Sequence, residues 1–418
     1  MISKKNYPNL NENIYMITLQ NGLRVFYLHD PHSTIFEARL IINFGAYNLE
    51  YEGLNIHPGT AHFLEHMMFK MEDDDDALMA FSRLGAEANA ATSYSTTVYM
   101  FDTAFNFFES LELLFKMIDQ PVFKDEEINK ERAIIIEEIN MYQSDINEEL
   151  DNILSKNTYF IHPFKHDIGG SVDDVKKIDR DLLMKTYQIA YPNSNRILVL
   201  GGNINIDDLE AFLKKYDSKT KFIERKEPKD FNEPLKVVIP YQEISRDVDL
   251  DIILFKLKIL EKGRTIKDEF IANIALSMLL GKTSSYYEEL LKDELIGSNF
   301  RYYENIECKA FEITVENSCK EPFKYIERLK NIIFNTDDSF FTAENFNRYK
   351  KAFLGRFIFS LNSLKSRVRL FCEYITNDYI LYDILELVKK IKLEDVVKMF
   401  NDIKKSDYTI LNVKSTKG

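Results

Sequence analysis

Tryptophan is absent from this sequence, cysteine occurs three times and histidine seven times. No apolar run reaches the roughly 18 residues a membrane-spanning helix needs, so no membrane segment is expected. Residues 1–13 are polar and lack the apolar core of a secretory signal. Cys308, Cys319 and Cys372 are odd in number and lack metal-type spacing. A disulfide framework is therefore excluded, and a reducing, cytoplasmic setting is the expectation. Positive charge is also short: 54 Lys and Arg stand against 67 Asp and Glu, a net charge of −13. A nucleic-acid binder needs clustered cations to displace counterions, so that class is set aside. All the histidines lie at or before His166, and any imidazole-based metal site must belong to the first half.

What is present describes a globular chain. Apolar residues make up 45% and charged residues 29% of 418 positions, and 31 Phe with 23 Tyr supply the bulk for sizeable cores. That length exceeds one ordinary domain and suggests two. Alternating apolar residues at 14–19 and 23–28 flank Asn21-Gly22, which predicts a hairpin. A strand is expected at 36–44, a helix at 60–69 behind the breaker pair Pro58-Gly59, and a second helix at 77–84 closed by Gly85. Strand-type residues return at 93–102, with helices at 105–119, 125–145 and 172–191, a loop at 162–170 and a strand at 196–200. Gly201-Gly202 is read as a turn. Residues 216–235, rich in Lys, Asp, Pro and Glu, form the expected linker between a domain at 1–215 and another at 236–418. The second half repeats the general order of strands and helices. The expectation is an α+β fold of two similar domains. The Phe-rich stretches at 105–115 and 340–359 are assigned to cores, and Asp73-Asp74-Asp75-Asp76 to a solvated acidic loop.

The segment His62-Phe63-Leu64-Glu65-His66 carries the chemistry. On a helix, His62 and His66 project from one face one turn apart, and Glu65 shares that face. Two neutral imidazoles and one carboxylate suit zinc, which in a catalytic site takes three protein ligands and leaves a position for water. Glu65 is then placed to take a proton from that water and return it to a leaving amine. In the helix at 125–145, Glu131 and Glu138 are two turns apart on a stripe with Ile128, Ile135 and Tyr142. A carboxylate in a buried stripe needs a cation, a metal or strong hydrogen bonds. Glu138 is the candidate third ligand and Glu131 a carboxylate that orients a ligand; a surface salt-bridge helix is the alternative. Glu137 points elsewhere and is expected in solvent.

These residues, with Gly85-Ala86-Glu87-Ala88-Asn89-Ala90-Ala91-Thr92 between them, resemble the pitrilysin/insulinase family of inverted-zinc peptidases in its two-domain processing-peptidase branch. The resemblance runs through the first half and covers 284–313 more weakly. It implies two similar domains, each a mostly antiparallel sheet packed by helices, forming half of a clam-shell. It also implies His62, His66 and Glu138 as zinc ligands, Glu65 as general base, Glu131 as supporting carboxylate, and Asn89 and Ala90 as the segment meeting the substrate backbone. The strand at 93–102 offers an edge to which an extended peptide can add.

The sequence departs from the family in one respect. Members that act alone carry an arginine, and a tyrosine seven residues later, in the second half. Those positions fall here on Leu291 and Ser298, and Arg301, Tyr302 and Tyr303 have the wrong spacing. The resemblance to zinc-bearing subunits of bacterial two-subunit peptidases implies a homologous partner chain that supplies the pair, with a homodimer as the other expected assembly. Two other readings stand beside this one: a maturation protease for one peptide precursor, such as a modified-peptide leader, and a non-catalytic assembly subunit.

Overall fold

A computed structural model describes residues 2–51, 53–72, 76–259 and 264–417. Asp73, Asp74 and Asp75 of the acidic run lie outside them, while Asp76 caps a helix by accepting the Leu78 N–H at 2.8 Å. The chain forms two compact units that interleave along the sequence. The first comprises Met1–Ile146, His166–Asp230 and Ser360–Tyr382, and the second Asn147–Lys165, Phe231–Phe359 and Asp383–Gly418.

The first unit is built on a seven-stranded sheet. Its strands are β1 (Ile2–Tyr7), β2 (Glu12–Thr18), β3 (Arg24–His29), β4 (Phe36–Ile42), β7 (Ala86–Thr92), β8 (Thr97–Thr103) and β9 (Arg196–Gly202), in the order β1-β2-β3-β9-β4-β8-β7. A small ribbon pairs β5 (Glu50–Tyr51) with β6 (Leu54–Asn55). All the pairings of the large sheet are antiparallel except β3 with β9. Strand β9 is buried along its whole length, which is why it reads as a continuous apolar run rather than an alternating one. Gly201 and Gly202 therefore end a central strand rather than form a turn. A Cβ on Gly201 would stand 2.5 Å from Val368 Cγ2, on the helix Leu364–Ile375, so this glycine admits a helix to the sheet. That helix is held by Arg367 to Asp30 and by Lys365 Nζ to Asp102 at 2.9 Å.

Helices α1 (Thr60–Met68), α2 (Ala77–Arg83), α3 (Phe107–Asp119) and α4 (Asp125–Tyr142) belong to the same unit. Their apolar faces join Leu40, Tyr99, Phe101, Leu198 and Leu200 in one core. Phe107 and Phe115 enter it, whereas Phe105 is exposed, as is Phe359 in the second unit.

The second unit has a five-stranded sheet of β10 (Tyr241–Arg246), β11 (Asp251–Ile259), β12 (Arg301–Glu307), β13 (Ala310–Cys319) and β14 (Asp407–Ser415), ordered β10-β14-β11-β13-β12. Only β10 and β14 run parallel. Among the described residues no helix is long and apolar enough to cross a membrane.

Part of the stretch read as a linker packs tightly. The Glu233 carboxylate accepts the backbone N–H groups of Phe160, Ile161 and His162 at 3.0, 2.8 and 2.7 Å, and Lys258 Nζ at 2.6 Å. Burial pushes the Glu233 pKa up, but Lys258 and the three amides outweigh it and hold the group below its ordinary 4.5. A carboxylate lowered in the folded state stabilises it fully above that value and loses the contribution as pH falls through the folded pKa. Glu233→Gln is expected to cost about 3 kcal/mol at neutral pH, as when one partner of a buried ion pair is removed. It should also flatten the acid-induced loss of stability below pH 4.5. Urea unfolding at pH 7 and pH 4 measures both effects.

Candidate metal centre

Helix α1 is buried on almost every side, and its half-buried positions are His62, Glu65 and His66. Its start is seated by close backbone approach. Gly59 caps it with φ +86, and a Cβ there would overlap the Gly169 carbonyl. Gly170, at φ +73, faces Pro58, whose oxygen would lie 2.5 Å from an added Cβ. Only glycine permits this approach at positive φ. The glycine end of the 162–170 loop thus sets where the metal-motif helix begins. Histidine 162 itself is structural and belongs to the second unit: its Nε2 donates to the Cys308 carbonyl at 2.9 Å, and its Nδ1 accepts the Phe164 N–H at 3.1 Å.

The two histidines of α1 converge as the spacing requires. Their Nε2 atoms are 3.3 Å apart, with ring centroids at 4.6 Å and planes at 78°. Glu138 on α4 brings a carboxylate oxygen to 3.6 Å from His66 Nε2 and 3.9 Å from His62 Nε2. One ligand atom from each of the three lies within 4.8 Å of the others, the one such group among the described residues. Donors held tetrahedrally about 2.0–2.1 Å from zinc stand about 3.3–3.4 Å from one another. The observed separations match that spacing to within about half an ångström, so the donor set fits the ion.

Glu131, two turns before Glu138 on α4, is buried at 5% exposure. Its carboxylate meets His66 Nδ1 at 3.1 Å and Lys70 Nζ at 2.5 Å. An ionised carboxylate only accepts, so Nδ1 carries the proton and Nε2 presents a lone pair to the centre. Burial works against charge on both groups. Their mutual hydrogen bond, with Lys70, nevertheless lowers the Glu131 pKa, and Glu131, Glu65 and Glu138 raise that of His66. Burial, with His66 beside it, lowers the His62 pKa to about 4 and keeps that imidazole neutral. Glu131 thus meets His66 at Nδ1, the ring nitrogen that does not face His62 and Glu138. The stripe on α4 also ends earlier than expected: Ile128 and Ile135 are buried, but Tyr142 is 49% exposed because the helix runs past the core. Glu137 is exposed, as expected.

Glu65 lies beside the cluster. Burial raises its pKa, opposed by a hydrogen bond from Thr92 and by the nearby His66. The Thr92 hydroxyl donates to Glu65 Oε2 at 2.5 Å. Neither Thr92 nor Lys70 was singled out from sequence, because both contacts are made across tertiary packing. Asn89 and Ala90 lie on β7, and β7 is the edge of the sheet. The edge expected at 93–102 belongs instead to β7, because β8 is paired on both sides, with β4 and with β7. In the second unit, Leu291 is half-exposed at the end of the helix Ser285–Lys292, and Ser298 is exposed in the following loop. Arg301 is committed to Glu316 at 2.6 Å.

Two imidazoles and a carboxylate around one point, with a half-buried glutamate beside them on an α+β scaffold, make the donor set that a metal centre of the zinc-peptidase type uses. The chain belongs to the insulinase family: residues 24–171 match "Insulinase (Peptidase family M16)" and residues 177–353 match "Peptidase M16 inactive domain". The zinc protease YmfH of Bacillus subtilis is 28% identical over 414 residues, 96% of each chain. The crystal structure of an M16-like peptidase from Alicyclobacillus acidocaldarius superposes with a TM-score of 0.91 at 23% identity, covering 99% of this chain and 100% of that one. The periplasmic protease PqqL of Escherichia coli gives a TM-score of 0.76 at 18% identity, with 97% of this chain spanning 48% of that one. Peptidase is the function that the family and these names support.

If Glu131 fixes the tautomer and angle of His66, Glu131→Gln should weaken zinc binding about 10–100-fold. Competition against a chromophoric chelator reads this directly, and unchanged affinity would remove Glu131 from that role.

Proposed function

We propose that this chain is the metal-bearing part of a zinc-dependent endopeptidase, with zinc held by His62, His66 and Glu138. The observation that carries the reading is the convergence of these three donors next to a half-buried Glu65 and an open strand edge. A bound zinc ion supplies Lewis acidity and makes water acidic enough to ionise near neutral pH. Glu65, its pKa raised by burial, takes the proton of the attacking water and hands it to the leaving amine. Glu131 holds His66 in the tautomer that offers Nε2 to the centre. Asn89 and Ala90 present the edge of β7, to which an extended peptide adds as a further strand. Pairing of this kind reads backbone more than side chains and favours broad specificity.

The oxyanion of the tetrahedral species requires donors, and Leu291 and Ser298 offer neither a guanidinium nor a phenol. Removing one such donor typically costs about 10²–10³ in rate. A homologous partner chain that carries the pair therefore completes the site, since a second copy of this chain would bring the same Leu291 and Ser298. The PqqL chain, about half of which this fold covers, supports the reading that two such pairs of domains work together.

The isolated chain should bind zinc yet cleave peptides slowly, and gain strongly when its partner is added. Chelation should abolish cleavage and zinc restore it. Glu65→Gln should keep its zinc and lose about 10²–10⁴ in kcat. Undiminished cleavage by that variant would refute the assigned base, and full activity of the isolated monomer would refute the need for a partner.

A further inference from the structure

We infer that Thr92 is the positioning residue for Glu65, anchoring the carboxylate from the end of the strand that carries Asn89 and Ala90. The inference rests on the reading of Glu65 as general base and adds what holds that base in place.

The hydroxyl of Thr92 lies 2.5 Å from Glu65 Oε2, in the short range of an O–H donor on a carboxylate. Its other oxygen neighbour is Thr97 Oγ1 at 3.4 Å. Thr97 spends its own proton on the Phe44 carbonyl at 3.0 Å, so it does not compete as a donor towards Glu65. The single proton of Thr92 goes to the charged acceptor, which is the nearer and the stronger one.

The strand fixes Thr92 as firmly as it fixes the edge. Thr92 and Thr97 are the last pair of the β7–β8 hairpin. The turn beyond them is closed by the Ser93 N–H on the Thr96 carbonyl at 2.7 Å and the Thr96 N–H on Ser93 Oγ at 3.0 Å. It is pinned in turn by the N–H groups of Ala46 and Tyr47 on the carbonyls of Ser93 and Tyr94, at 3.0 and 2.8 Å. Gly45 permits that approach, since a Cβ there would lie 2.5 Å from both carbonyl oxygens. Along β7 side chains alternate, and Ala88, Ala90 and Thr92 share the half-buried face. Helix α1 packs on β7. Two alanines on that face leave room for the helix, and the third position supplies a hydroxyl at the height of Glu65. At about 3.3 Å per residue, Thr92 is about 7 Å along the strand from Ala90. A peptide paired to this edge thus lies on the same rigid ribbon that aims the base.

The test compares Thr92→Val, which keeps the shape and the backbone contact to Glu65 and removes only the hydroxyl donor, with Thr92→Ser, which keeps the hydroxyl. Both are measured on the zinc-loaded protein in the assembly in which it is isolated. Thr92→Val should lose at least about tenfold in kcat, with KM, zinc content and melting temperature unchanged, and Thr92→Ser should recover most of the loss. A second readout needs neither turnover nor metal. The carboxylate stretch of Glu65, identified in zinc-free protein by subtracting the Glu65→Gln infrared spectrum, should shift in Thr92→Val and not in Thr92→Ser. Wild-type kcat in Thr92→Val, an unshifted carboxylate band, or a loss of kcat matched by loss of zinc would each overturn the inference. Should Glu65→Gln itself remain fully active, the base assignment falls, and the infrared band still decides whether Thr92 holds Glu65.

Discussion

Two imidazole Nε2 atoms held 3.3 Å apart, with a carboxylate oxygen within 4 Å of both, make a donor set that fits a divalent cation. The tautomer sharpens the fit. Glu131 accepts a hydrogen bond from His66 Nδ1, so the neutral ring faces the centre with the lone pair of Nε2. His62 is kept neutral by burial and by its neighbour. A helix buried elsewhere along its length tolerates this polar triplet because the cluster satisfies its members only when a positive charge completes it. The surrounding packing follows from that demand.

Three devices of the fold meet it. The glycines at 59 and 170 let two backbone segments touch, which sets the start of α1 and therefore the height of both imidazoles. Helix α4 places Glu131 and Glu138 two turns apart, so one carboxylate reaches the centre while the other stays buried behind it with Lys70. Strand β7 is small-sided where α1 packs against it, and ends in the hydroxyl that meets Glu65. Strand β7 and helix α1 are consequently packed together, and a shift of either would move Glu65 relative to His62, His66 and Glu138.

The convergence of His62, His66 and Glu138 was legible because it follows a local rule: four-residue and seven-residue spacings on helices bring side chains to one face wherever the helix goes. The same spacing over-reached at Tyr142, since periodicity carries no information on where the core stops. Strand β7 was not read as a strand, because alanine has little intrinsic strand preference, and Ala88 and Ala90 are small where helix α1 packs. The neighbouring β8, rich in Thr, Tyr and Val, took the role of edge in its place. Thr92 and Lys70 stayed invisible because their partners are 27 and 61 residues away in sequence. The interleaving of the two units through 147–165 and 360–382 was equally hidden, for each of those segments has an ordinary local pattern. Glu233, in a stretch whose composition suggested solvent, binds three amides and a lysine in the folded chain.

The central claim is that His62, His66 and Glu138 form one zinc site with an open position. X-ray absorption at the zinc edge tests it most directly. The protein loaded with one equivalent of zinc should show nitrogen and oxygen donors at about 2.0–2.1 Å. Multiple scattering should correspond to two imidazoles and fall to one in His62→Ala. A zinc ion surrounded by water oxygens alone, by sulfur, or by the same two imidazoles after His62→Ala would contradict it.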